Sequence, residues 1–265
     1  MVPGCWSPIS LIPDCVLLKI VGQYIARGDA FPVALTCRSF KLAATGKGRG
    51  SHFKTPTSTV VVSVPMLTWA VITCGYQWSA MTCAQAAGGG HLAVLQWARA
   101  QRCEWDARTC AQAAGGGHLT VLQWALAQGC EWDRLTCAHA ARGGHLTVLQ
   151  WARANGCEWD AWTCAQAASG GHLTVLQWVR DNGCEWDSDT CSRAAGGGHL
   201  TVLQWARAHE CAWDSDTCSR AAGGGHLTVL QWALANGCEW NARMCTHAAR
   251  GGGHLTVVQW LRVTR

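Results

Sequence analysis

The chain has 265 residues, 49% hydrophobic and 14% charged, which excludes a disordered chain. The net charge is a modest +5, and no apolar run of about 18 residues exists to cross a membrane. Phe and Tyr total five against 17 Trp, 17 Cys and 30 Gly, so an ordinary globular core is excluded too, and one short segment copied many times is expected.

In chain order, residues 1–44 come first. Asp14 and Lys19 interrupt their apolar run, which argues against a signal peptide, so a reducing compartment, cytoplasm or nucleus, is expected for the cysteines. Pro13 and Asp14 start a helix with the apolar face Val16, Leu17, Ile20, Val21 and Tyr24. Arg27, Gly28 and Asp29 form a turn, and a second short helix covers 32–44. The run Ile12, Pro13, Asp14, Val16, Leu17, Leu18, Ile20, Val21, followed by Ala34, Leu35, Cys37, Arg38, Phe40 and Ala43, resembles an F-box motif, with Cys15 at the family's acidic position. The resemblance implies that Ile12, Pro13, Leu17, Ile20, Val21, Cys37 and Phe40 dock a Skp-family adaptor. The residues by themselves read as a helical hairpin capping the open end of a solenoid.

Residues 45–56 read as a basic, flexible linker. Residues 1–77 hold every Lys (Lys19, Lys41, Lys47, Lys54) and the whole net charge. A degenerate half-repeat spans 57–77, within the repeat domain 57–265.

From Trp78 the chain repeats every 27 residues, with starts at Trp78, Trp105, Trp132, Trp159, Trp186, Trp213 and Trp240. The unit reads W-D-x-x-T-C-A-x-A-A-x-G-G-H-L-T-V-L-Q-W-A-R-A-x-G-C-E. Ser79, Asp106, Asp133, Asp160, Asp187, Asp214 and Asn241 hold the second position, and all are N-cap residues. A first helix ends at a glycine cap such as Gly115–Gly117, and His118 opens a second that runs to the Gly129-Cys130 corner. The second helix places Leu119, Val121, Leu122, Trp124 and Ala125 on an arc of roughly 220°, which only neighbours on both sides can cover. Cys110, Ala111, Ala113 and Ala114 let the first helices approach closely. The fold class is therefore all-α, a solenoid of helix-turn-helix repeats.

The run Ala113, Ala114, Gly117, His118, Leu119, Val121, Leu122, Trp124 resembles the ankyrin-repeat core. The unit is shorter than the ankyrin repeat of about 33 residues, and T-C-A replaces its T-P-L-H start. The resemblance covers 78–265 and implies an ankyrin-like α-solenoid that acts as a protein-interaction scaffold without catalysis.

Each unit supplies Cys and His, as in Cys103, Cys110 and His118, but six residues separate the cysteines, unlike a zinc site. Equivalent cysteines of stacked helices would lie roughly 8–10 Å apart, too far for a disulfide. Reduced core thiols are expected, with His118 as an inter-repeat hydrogen-bond donor. A Cys-His pair recurring in every unit does not make a unique catalytic pocket, and the glycines lack a phosphate-loop context, so no enzyme, cofactor or metal is expected. A nucleic-acid-binding solenoid would rest on the +5 charge and Trp stacking. Those Trp are structural by phase and the repeats are neutral, so no nucleic acid is expected.

Three positions vary within the fixed frame. The fourth holds Met81, Arg108, Leu135, Trp162, Asp189, Asp216 and Arg243; the eighth Gln85, Gln112, His139, Gln166, Arg193, Arg220 and His247; the eleventh includes Arg142. They share one arc of the first helix and would line the concave side, with Trp162 pointing outward near the centre. Asp189 with Arg193 and Asp216 with Arg220 are i,i+4 pairs. The sequence thus predicts a monomeric, non-catalytic scaffold that binds an unknown protein partner on this strip. The alternative is an F-box-type substrate receptor of a cullin-RING ubiquitin ligase.

Overall fold

The computed structural model describes residues 63–64 and 78–263. The F-box-like segment, the linker and nearly all of the half-repeat lie outside the described residues. From residue 78 onward the chain forms fourteen helices. The first helices of the units are α1 (Ala80–Gly88), α3 (Ala107–Gly115), α5 (Arg134–Gly143), α7 (Ala161–Gly170), α9 (Ser188–Gly196), α11 (Ser215–Gly223) and α13 (Ala242–Gly251). The second helices are α2 (Leu92–Ala100), α4 (Leu119–Ala127), α6 (Leu146–Ala154), α8 (Leu173–Asp181), α10 (Leu200–Ala208), α12 (Leu227–Ala235) and α14 (Leu255–Val263). Among the described residues there is no strand.

Each first helix packs on the first helix of the next unit and on its own second helix. The residues on its packing face are small: Cys110, Ala111, Ala113 and Ala114 of α3 are at most 3% exposed, and so are their counterparts in α5 and α7. Backbones can therefore come close, and the odd-numbered helices form one continuous row. The second helices supply the large apolar volume, with Leu95, Leu122, Leu149, Leu176, Leu203 and Leu230 fully buried. This is the helix-turn-helix solenoid that the sequence predicts.

The helix ends follow from specific residues. Asp106, Asp133, Asp187, Asp214 and Asn241 accept the backbone N–H two residues on, at 2.9–3.1 Å. Asp160 departs from this pattern: its Oδ2 instead accepts from Arg134 Nη1 of the preceding unit at 2.9 Å. At the other end the chain reverses at a left-handed glycine, Gly117 with φ 77° and its six counterparts. A Cβ on Gly117 would stand 2.6 Å from Nδ1 of His145, one unit further on, so the site excludes any side chain. The expected histidine donor appears here: Nε2 of His145, His199 and His226 donates to the carbonyl of Gly115, Ser169 and Gly196 in the preceding unit, each at 3.1 Å.

One core assignment needs correction. Trp124 is half-buried, unlike Val121, Leu122 and Ala125 beside it. Its ring meets Trp105 edge to face at 5.9 Å, and the same pair recurs in the units from Trp78 to Trp232. The two indoles cover one another edge to face, which leaves part of the Trp124 ring accessible among the described residues.

Candidate interaction face

Among the described residues the row of first helices has one side that no other helix covers, and the variable positions lie there. Met81, Arg108, Gln112, Leu135, Arg142, Asp216, Arg220, Arg243 and His247 are exposed, while Gln85, His139, Trp162, Asp189 and Arg193 are half-buried. Gln166 is a correction: it is only 6% exposed and adds nothing to the accessible surface. Its neighbour one turn earlier is the bulky Trp162, where most units have a smaller or more flexible side chain.

Consecutive units touch along this face. Gly115 at an eleventh position lies against the His139 side chain at the next unit's eighth, and Gly196 lies likewise against Arg220. The strip is therefore continuous from unit to unit.

Its centre is a cluster spanning three units. The Arg193 guanidinium of α9 lies 4.0 Å from the Trp162 ring centroid of α7. Arg193 Nε also faces Asp189 Oδ2 at 3.5 Å, the i,i+4 pair expected from spacing. Arg220 of α11 does not pair with Asp216 in the expected way; its Nη2 reaches back to Asp189 Oδ1 at 3.8 Å. Ser192 Oγ donates to the same Asp189 Oδ1 at 3.3 Å. Asp189 is thus the junction of two arginines and a hydroxyl. The packing of α9 between α7 and α11 creates this junction, which i,i+4 arithmetic within one helix cannot show. Trp162 does not stand free in solvent, because Arg193 covers it.

Three depressions open on this face. One of about 220 Å³ is bordered by Asp160, Trp162, Ala165, Asp187 and Asp189. Another of about 570 Å³ is bordered by Ser169, Arg193, Gly196, Arg220 and Ala248. The third, about 520 Å³, is lined by Ser219, Asn241, Arg243, Met244, His247 and Ala248. One hollow is thus lined by acids and the Trp162 ring, and another by arginines. The His139 pKa lies below its ordinary value because of burial, with Arg142 adding to the effect, so its imidazole is neutral at neutral pH. Among the described residues no group of three or more His, Cys, Asp or Glu is placed to hold a metal ion.

The opposite surface is uniform. Thr120, Gln123 and Ala127 of α4 are exposed, and the same residue types recur along the second helices. A second arginine system, absent from the sequence analysis, seals the corners between units. Arg99, Arg153, Arg180 and Arg207 stack over Trp105, Trp159, Trp186 and Trp213 of the next unit at 4.1–4.3 Å. Each also donates to the corner Cys carbonyl four residues on. The Arg-to-Trp spacing of six residues was the signal in the sequence.

No family model and no curated protein matches the chain. Among solved structures, the human ASB11 ankyrin repeat domain is similar with a TM-score of 0.45 and 15% sequence identity, over 59% of this chain and 84% of that chain.

Proposed function

We propose that the chain is a non-catalytic scaffold that binds a protein partner on the face of its first helices, centred on Trp162. The observation that carries this reading is the concentration of shape and chemistry on one side. The three depressions, the Trp162–Arg193–Asp189–Arg220 cluster and the exposed Met81 and Leu135 (44% and 38% exposed) all share it. Trp and Arg dominate binding energy at protein interfaces, whereas a repeated Thr-Gln-Ala surface gives a partner little to distinguish. The test is affinity capture with the full chain, followed by titration of the recovered partner against Trp162→Ala and Gln123→Ala. The proposal expects Trp162→Ala to weaken binding by about tenfold or more and Gln123→Ala to leave it intact. Equal binding by both variants overturns it. The F-box-like segment supports a second reading, an adaptor-docked substrate receptor, which requires a Skp-family adaptor among the captured proteins.

A further inference from the structure

We propose that each repeat holds a redox-sensitive dithiol, made of the cysteines at its sixth and twenty-sixth positions, that becomes an intrarepeat disulfide by exchange with a small-molecule disulfide. The pairs run from Cys83 with Cys103 to Cys218 with Cys238, each 20 residues apart. Spacing along the chain draws attention to Cys103 and Cys110, or to equivalent cysteines one repeat apart. The fold selects a different pairing. The sixth position lies on the packed side of the first helix, and the antiparallel second helix returns the chain so that its corner cysteine lies beside it.

The contact is direct. Cys137 Sγ lies 4.0 Å from the Cys157 carbonyl oxygen, and Cys191 Sγ lies 3.9 Å from that of Cys211. In all six units the second cysteine is the largest influence raising the pKa of the first thiol. All these sulfurs are buried. The neighbouring Cys157 sulfur, then burial, pushes the Cys137 thiol far up, so it keeps its proton.

The corner thiol has a further role in the reduced state. Cys157 Sγ donates to the Asp133 carbonyl at the start of the same repeat at 3.3 Å, and Cys184 Sγ to that of Asp160 at 3.2 Å. A disulfide has no S–H. Oxidation therefore exchanges a hydrogen bond from the corner to the start of the repeat for a covalent bond between its two helices.

The step is a thiol–disulfide exchange with glutathione disulfide. The Cys157 thiolate attacks one glutathione sulfur, the glutathione S–S bond breaks, and one glutathione leaves and takes the proton. In the opened repeat water reaches Cys137 and its thiol loses its proton; the thiolate then attacks Cys157 Sγ in the mixed disulfide and expels the second glutathione, which takes that proton. Two electrons pass from the cysteine pair to the reagent. Burial confines the reaction to moments when a repeat opens, or to refolding.

The test is refolding of the full chain in glutathione buffers of graded ratio, followed by alkylation and peptide mapping without reduction. Six linkages of 20-residue separation are expected among residues 78–263, each with the loss of two hydrogens. Cys245 has no such partner among the described residues and is expected to be alkylated. Cys157→Ser is expected to leave Cys137 alkylated and the other five linkages in place. The proposal fails if these cysteines stay thiols in the helical chain at the most oxidising ratio. It also fails if Cys103 links to Cys110, if pairing is scrambled, or if the oxidised chain loses its helices.

Discussion

Gly117 and Gly129 both take positive φ, 77° and 79°, yet their surroundings differ. A Cβ on Gly117 would meet the His145 ring, whereas one on Gly129 would have nothing within 4 Å. Gly129→Ala is therefore expected to cost about 1 kcal/mol, the left-handed strain alone, and Gly117→Ala about 3 kcal/mol through added displacement of an inter-repeat histidine. Equal shifts in urea melts would show that the histidine ring moves freely. Glu210 occupies the Gly129-type position with φ 64°, so Glu210→Gly is expected to stabilise by up to about 1 kcal/mol. His139 sets a pH dependence. Burial, then Arg142, lowers its pKa below the ordinary 6.5, so the unfolded chain binds the proton more readily. His91 is lowered likewise, by burial and then His118. Stability contributed by these neutral imidazoles is full above pH 6.5 and is lost as pH falls from there through the lowered folded values. Urea midpoints are expected to drop on acidification across that window, and His139→Gln is expected to flatten the decline. A midpoint that rises on acidification contradicts the assignment.

The helices themselves were legible because their signals are local. Asp at the second position, the glycine pair before each His and the apolar arc of the second helix each follow from backbone geometry within a few residues. The contacts made between elements were less legible. Trp124 falls inside the apolar arc of its helix, but a wheel cannot show that its ring meets Trp105 edge to face and stays half-buried. Gln166 and Gln112 share a position, yet one is buried and the other exposed, since burial depends on the neighbouring side chains of α7 and α9. The corner arginines belong to this level. Arg153 stacks over Trp159 at 4.1 Å and donates to the Cys157 carbonyl at 2.8 Å, while Leu126 holds the same position ahead of Trp132. Leu126→Arg is expected to add roughly 0.5–1 kcal/mol, and Arg153→Leu to remove a similar amount. Urea denaturation of both variants checks this. A loss in Leu126→Arg would show that the leucine makes packing contacts worth more than the stacked guanidinium.

At the scale of the whole molecule, the same joint recurs between every pair of units. His145, His199 and His226 donate backward to the preceding unit, while Cys130, Cys157, Cys184, Cys211 and Cys238 close each unit by donating through their thiols to its second-position carbonyl at 3.2–3.5 Å. A unit therefore interacts with its neighbours through positions that are nearly identical throughout the row, and stability is close to a sum of units and joints. Deletion of residues 159–185 removes one full period and joins Glu158 to Trp186, the native sequence of a junction. Gly144 then faces His199 in place of His172, and the same type of joint reforms. The shortened chain is expected to keep its helix content per residue and to unfold with lower stability and a smaller urea dependence, because one unit and one joint are gone. It also lacks Trp162, so partner capture is expected to fail although the fold persists. Deletion of 159–172 instead removes α7 and leaves the apolar face of α8 without its own first helix. That chain is expected to lose cooperative unfolding. Circular dichroism and urea melts of the two deletions decide the matter. If the full-period deletion unfolds the chain as thoroughly as the half-period one, the joints are not interchangeable, and the stack depends on features peculiar to the unit that contains Trp162.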